Sequence, residues 1–257
     1  MSQVSLERSN DIATLRIERP RAMNALDEET LLELRAHAAA LTREPARVVL
    51  VTSAGDRVFV AGADIAAMSK MGTEEARAFS QLGHETFEAI EALPSLVVAV
   101  VQGAALGGGC ELLLACDLAL ASEKARFGQP ETNLGLLPGF AGCSRLVRRI
   151  GVGRARDLIY TGRMIGAAEA LEWGLVNCVV AHDDLAAEAA KWSGELAARP
   201  PLAVRRAKVA MAAAEVADAR TAARVEIEGF AGVFGSEDTR DGLAAFLEKR
   251  TPTFRGR

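Results

Sequence analysis

The sequence contains no run of about 18 unbroken apolar residues, the length a helix needs to cross a bilayer, so no membrane span is expected. Its first residues, MSQVSLERSND, lack the basic-then-apolar pattern of an export signal, and a cytoplasmic setting is expected. Metal-ligand spacing is missing too. The 3 histidines (His37, His84, His182) are scattered, and none of the 4 cysteines (Cys110, Cys116, Cys143, Cys178) forms a CxxC pair, so no metal is assigned. Cys110, Cys116 and Cys143 are expected as packing residues, because a free thiol behaves as a small hydrophobe. That usage fits a reducing compartment. There is no excess of positive charge: the net charge is −4, which excludes nucleic acid as the expected partner. The local exception is Arg145, Arg148, Arg149, Arg154 and Arg156. It is read as a solvated basic helix face, with phosphate binding as the sharper alternative.

Familiar catalytic and nucleotide fingerprints also fail. A GxGxxG starting at Gly107 would need glycine where Leu112 stands, and a P-loop starting at Gly103 would need lysine at Gly109. No GxSxG occurs, and Ser144 has no histidine nearby in sequence. No low-complexity segment and no fixed-period repeat is seen. What remains is ordinary for a soluble globular chain of 257 residues, 50% hydrophobic and 25% charged.

Alternating residues at 3–18, with Asn10-Asp11 between them, predict a hairpin. Asp27 is placed to cap a helix over 28–42. RVVLVTS, LVVAVV and DLALAS are short apolar runs that fit strands buried on both faces. With a helix over 73–91 and a second after the glycines at 107–109, strands and helices alternate. That is the pattern of an α/β chain with a parallel sheet. Residues 54–68 and 127–142 read as loops. Helices are expected near 142–150, 153–160 and 167–173, and a last strand at 176–180. After Asp183 only helices are expected, with Pro200-Pro201 as a joint and Ser236 as a cap.

GAALGGGCELLLACD, residues 103–117, holds the informative charge. Leu112, Leu113 and Leu114 make the helix apolar on every side, hence buried. Glu111 in its first turn is then a carboxylate at the edge of a core, where glutamate is rarely found unless paired or used. First-turn N–H groups lack helical partners and carry the positive end of the helix dipole. They suit a developing oxyanion, and one such donor is worth roughly 3–4 kcal/mol of barrier. AGADI at 61–65 is placed to add a second donor. Without an activated nucleophile, Glu111 and Glu131 are the acid–base candidates. Asp64 is read as a turn-stabilising Asx residue, Asp117 as a structural pair and His84 as a helix-surface residue.

RPRAMNAL, VFVAGADI, VQGAALGGGCELLLACDLALASEKARFGQPETNLGLLPG and GLAAFLEKR, in this order, resemble the enoyl-CoA hydratase/isomerase (crotonase) family, and its hydratases in particular. The resemblance spans nearly the whole chain. It implies a crotonase-type spiral of β-β-α units over residues 1–195, holding CoA and the catalytic groups, and a C-terminal α-helical trimerisation region over 196–257. It implies a homo-oligomer, a trimer or a hexamer built as a dimer of trimers. The substrate would be an acyl-CoA thioester, with no separate cofactor because coenzyme A arrives on the substrate.

Matched motif by motif, Ala63 and Gly108 would supply the oxyanion N–H groups, and Glu111 and Glu131 the catalytic carboxyls. Ala22, Ala61, Ala63, Asp64, Ile65, Gly108 and Gly139 would lie along the substrate. Phe246 and Lys249 would reach a neighbouring subunit's CoA. The implied reaction is reversible syn addition of water to trans-2-enoyl-CoA, giving 3-hydroxyacyl-CoA. Fatty-acid oxidation, amino-acid or aromatic breakdown and butanoate metabolism all use it. An enoyl-CoA isomerase, an acyl-CoA hydrolase and a non-catalytic RNA-binding homologue are the alternatives. One loop departs from the family's usual PGAGGTQRL. It reads Pro138-Gly139-Phe140-Ala141-Gly142-Cys143-Ser144-Arg145-Leu146, and Phe140 adds bulk near the expected acyl end.

Overall fold

The computed structural model describes residues 2–257. Val4–Ser9 (β1) and Ile12–Ile17 (β2) pair antiparallel, with Ser9 opposite Ile12. Asn10 makes their turn at φ +53°, which asparagine tolerates. Helix Glu28–Arg43 (α1) starts at Asp27, whose carboxylate accepts from Thr30 N–H at 2.9 Å. Val48–Ser53 (β3) and Val58–Val60 (β4) then lead to the short Ile65–Met68 helix (α2) and to Thr73–Glu91 (α3).

The unit repeats. Leu96–Val101 (β5) and Ala104–Leu106 (β6) precede Gly108–Leu114 (α4), and Leu118–Ser122 (β7) and Arg126–Gly128 (β8) precede Gly142–Ile150 (α5) and Val152–Thr161 (α6). Met164–Gly166 (β9), Ala167–Glu172 (α7) and Cys178–Val180 (β10) complete the core. The first strand of each unit enters a six-stranded sheet, β1-β2-β3-β5-β7-β10. The second enters a four-stranded sheet, β4-β6-β8-β9. All pairs are parallel except β1 with β2 and β8 with β9.

The apolar runs follow from two covered faces. Val49, Val97, Ala99 and Ala121 point into the main core, while Val100 and Leu120 pack against Leu185 and Ala189 on the other face. A strand buried on both sides has no polar positions to alternate. The smaller sheet corrects the loop assignments at 54–68 and 127–142. β4, β8 and the likewise unforeseen β6 and β9 have only three residues each. Three residues display no period of two, so pairing with neighbours decides their state.

Leu185–Ala197 (α8), Pro201–Val216 (α9), Ala219–Val233 (α10) and Glu237–Glu248 (α11) close the chain. Ser236 caps α11 through Thr239 N–H at 3.1 Å. α9 has no buried residue and α10 buries only Gly229. Among the described residues, no helix is long and apolar enough to cross a membrane.

Candidate active site

The three glycines opening α4 serve three purposes. Gly107 stands at φ +49°, a region L side chains disfavour, and a Cβ there would lie 2.8 Å from Glu131 Oε1. A Cβ on Gly109 would collide with the Val60 carbonyl, so this glycine lets α4 lie on β4. Gly108 is the first helical residue, and its N–H has no intrahelical acceptor. A Cβ there would be 3.3 Å from Ala63 N, so the AGADI segment passes directly alongside.

That segment is held by its neighbours. Leu26 N–H donates to the Gly62 carbonyl and Asp64 N–H to the Leu26 carbonyl, both at 2.8 Å, while Ala61 N–H donates to the Met23 carbonyl at 3.2 Å. Gly107 N–H is used by the Gly128 carbonyl at 3.0 Å. Among the described residues, the N–H groups of Ala63 and Gly108 find no acceptor in the chain. Two adjacent donors are thus left for a ligand oxygen.

Glu111 is 1% exposed, on the first turn of α4. Its Oε1 accepts from Phe140 N–H at 2.8 Å and Gly142 N–H at 2.7 Å. Ala141 between them is left-handed, at φ +76°, which aims both N–H groups at one oxygen. Such a backbone nest is an anion cradle. The loop is fastened from two sides. Ser80 on α3 donates to the Gly139 carbonyl at 2.6 Å, and Arg145 Nη1 donates to the Phe140 carbonyl at 3.1 Å. Arg145 also grips Glu91 Oε2 at 2.7 Å.

Glu131 sits half-buried in the 3-10 turn Pro130–Leu134. With its amide oriented to satisfy both groups, buried Gln129 donates to the two Glu131 oxygens at 3.0 and 3.3 Å. Burial pushes Glu111 up to about 7, with the negative charge of Glu131 adding to it and the Phe140 and Gly142 N–H groups opposing it. Burial likewise pushes Glu131 up to about 7. Neighbouring negative charges resist double ionisation, so the charge of Glu131 favours the protonated form of Glu111.

Of the residues singled out in sequence, Ala61, Ala63, Gly108, Glu111, Glu131 and Gly139 lie on segments that meet here. The Met23 to Ala61 bond brings the turn containing Ala22 alongside. Asp64 caps α2 through Ala66 and Ala67 N–H and pairs with Arg19 at 3.3 Å, matching its Asx reading. Partial burial opposes ionisation, yet the N–H donors and Arg19 hold its carboxyl below the ordinary range. Ile65 is 53% exposed at the edge. Phe246, 83% exposed, and Lys249, at the C-terminal end of α11, project into solvent. Asp117 is structural, accepting from Val97 N–H and Lys208 Nζ at 2.7 Å each.

Two readings are corrected. Arg145 is buried, not solvated, and half-buried Arg149 donates to the Cys116 and Asp117 carbonyls, while Arg148, Arg154 and Arg156 stay exposed as the solvated-face reading expects. Backbone carbonyls and carboxylates beneath α5 need donors, which one helix face supplies. Cys143 is exposed and does not pack, because it starts the outer side of α5; Cys110 is buried as expected. Gln129, Ser80 and the fastening role of Arg145 were not foreseen. Only the place of Gln129, two residues before Glu131, offered a signal.

The family described as enoyl-CoA hydratase/isomerase matches residues 7–257. A crotonyl-CoA hydratase of Syntrophomonas wolfei is 44% identical over 98% of this chain and 97% of its own length. A short-chain-enoyl-CoA hydratase of Clostridium acetobutylicum is 42% identical over 97% of this chain and 96% of its own. The crystal structure of an enoyl-CoA hydratase from Bacillus anthracis superposes with a TM-score of 0.95 at 40% identity, covering 99% of this chain and 100% of that one. The fold is the crotonase spiral, and the chain belongs to the enoyl-CoA hydratase/isomerase family.

Proposed function

We propose that the protein is an enoyl-CoA hydratase, adding water syn across the double bond of trans-2-enoyl-CoA to give 3-hydroxyacyl-CoA. The observation that carries this reading is the pair of proton-holding carboxyls, Glu111 and Glu131, beside two unclaimed N–H groups. The thioester oxygen binds at Ala63 and Gly108 N–H, which polarises the conjugated system and stabilises enolate charge. Glu111, cradled by N–H donors that favour its anion, takes a proton from water as the oxygen bonds to Cβ. Glu131 delivers its proton to Cα. The pair exchanges protons with solvent to restore the starting state, and no metal or separate cofactor takes part.

Ala22, Ala61, Asp64, Ile65 and Gly139 line the substrate. Residues 1–195 perform catalysis and 196–257 assemble copies into a trimer or a dimer of trimers. There Phe246 and Lys249 of a neighbour close over CoA. The exposed Phe230, Phe234, Phe246 and Leu247 support this reading, since apolar side chains of that size favour burial against a partner. The setting is the cytoplasm, where the thiols stay free. The names of the relatives support the substrate class.

Purified protein is expected to remove the conjugated-enoyl absorbance of crotonyl-CoA and form a product heavier by one water. Inactivity on every trans-2-enoyl-CoA, or double-bond migration or free CoA as the main outcome, would overturn the reading.

A further inference from the structure

We propose that Phe140, seated in a notch left by Gly83, ends the acyl path and restricts this site to short acyl thioesters. The proposal rests on the hydratase reading for the position of the thioester. The Phe140 backbone touches the catalytic group itself, donating to Glu111 Oε1 at 2.8 Å. Its ring reaches the oxyanion corner: a Cβ on Gly108 would be 3.3 Å from Phe140 Cδ2 and 3.3 Å from Leu26 Cδ1. A trans-2-enoyl thioester is stiff from its carbonyl to Cβ. With oxygen at Ala63 and Gly108 and Cβ between the carboxyls, the carbon after Cβ emerges where Phe140 is anchored. Further carbons meet the ring.

The ring has nowhere to go. A Cβ on Gly83 would fall inside it, so α3 has been hollowed by one side chain to admit it. Phe79 and Phe87, on the same face of α3, hold it edge-to-face with centroids at 5.3 and 5.7 Å. Phe140 is 3% exposed, and packing this dense leaves no rotamer to swing into. Ser80 and Arg145 fix the backbone on either side through the Gly139 and Phe140 carbonyls. One residue thus cradles Glu111 with its N–H and closes the acyl end with its ring.

Affinity for saturated acyl-CoA thioesters tests this without turnover. Along an open apolar path each added CH2 tightens binding by about 0.8 kcal/mol, roughly fourfold. A stop reverses the sign. Wild type is expected to bind decanoyl-CoA at least about tenfold more weakly than butyryl-CoA, and F140A to recover that loss. The kcat/KM ratio of trans-2-decenoyl-CoA to crotonyl-CoA should rise in F140A by about tenfold or more, the scale of pocket discrimination. F140L, which keeps most of the packing, should move both readouts the same way by less.

Equal or tighter binding of decanoyl-CoA by wild type would overturn the stop, as would F140A and F140L profiles matching wild type. If neither variant folds, the sign of the wild-type binding series decides alone. A protein that binds butyryl-CoA over decanoyl-CoA yet hydrates nothing would retain the stop and lose the hydratase reading.

Discussion

The two ends of the molecule solve burial in opposite ways. Around α4 almost every polar group is spoken for inside the protomer: Glu111 by Phe140 and Gly142, the loop carbonyls by Ser80 and Arg145, Glu131 by Gln129. The exceptions are two N–H groups, and beside them burial pushes both carboxyls up to about 7. Across α9 to α11 the protomer leaves large apolar groups uncovered, Phe230 at 67% and Leu247 at 81% among them. In the first region, what is left unsatisfied is polar and small, which suits a reacting molecule. In the second it is apolar and broad, which suits another protein surface. The chemistry of what is left over separates the proposed reaction site from the proposed assembly face.

The contrast breaks most sharply at the carboxyls. Glu111→Gln and Glu131→Gln are each expected to lower kcat on crotonyl-CoA by more than about 100-fold, the scale of general acid–base catalysis. A near-normal rate in either variant removes that residue from the reaction.

Next comes the fastening of the loop. Arg145→Met leaves the Phe140 carbonyl without its donor and Glu91 without its principal partner. A loss of about 2–3 kcal/mol in unfolding free energy is expected by urea titration, below the full cost of a buried pair because Glu91 is 41% exposed. Unchanged stability would mean that the Glu91 and Phe140 contacts of Arg145 add nothing net to folding.

The opposite end is sharpened by Phe230→Asp on α10. It should shift the sedimentation profile to smaller species and change urea stability of the dissociated protomer by less than about 0.5 kcal/mol, as for a free surface. An unaltered assembly would mean that α10 faces solvent.

A smaller effect follows from linkage. Glu111 has an ordinary carboxyl value of 4.5 and rises to about 7 in the fold, so folding favours its protonated form. Its contribution is fully present below 4.5 and is lost as pH rises through about 7. Glu111→Gln should therefore match wild type in melting temperature at pH 4. At pH 8 it should exceed wild type by a few degrees, at about 2–4 °C per kcal/mol. A variant less stable than wild type at pH 8 would show that the carboxylate cradle outweighs burial.

What could be read from residues alone shares one property: the signal was local or sustained. RVVLVTS and LVVAVV announced doubly covered strands, Asp27 and Ser236 announced helix starts, and the charge of Glu111 in an apolar helix announced a use for it. The three-residue strands β4, β6, β8 and β9 carried no such signal, because they exist only through pairing across the chain. Arg145 and Arg148 are indistinguishable in sequence, since only the turn of α5 decides which one faces Glu91 and Phe140 from within. The ring of Phe140 was legible as bulk, but the notch at Gly83 that receives it lies 57 positions earlier and requires the packing of α3.

In the proposed reaction, Glu111 and Glu131 divide the proton transfers at a bound thioester. The pH dependence of kcat/KM for crotonyl-CoA tests it most directly. A bell is predicted, falling on the acid side where both are protonated and on the alkaline side where both are ionised. A rate independent of pH between about 5 and 9 would contradict it.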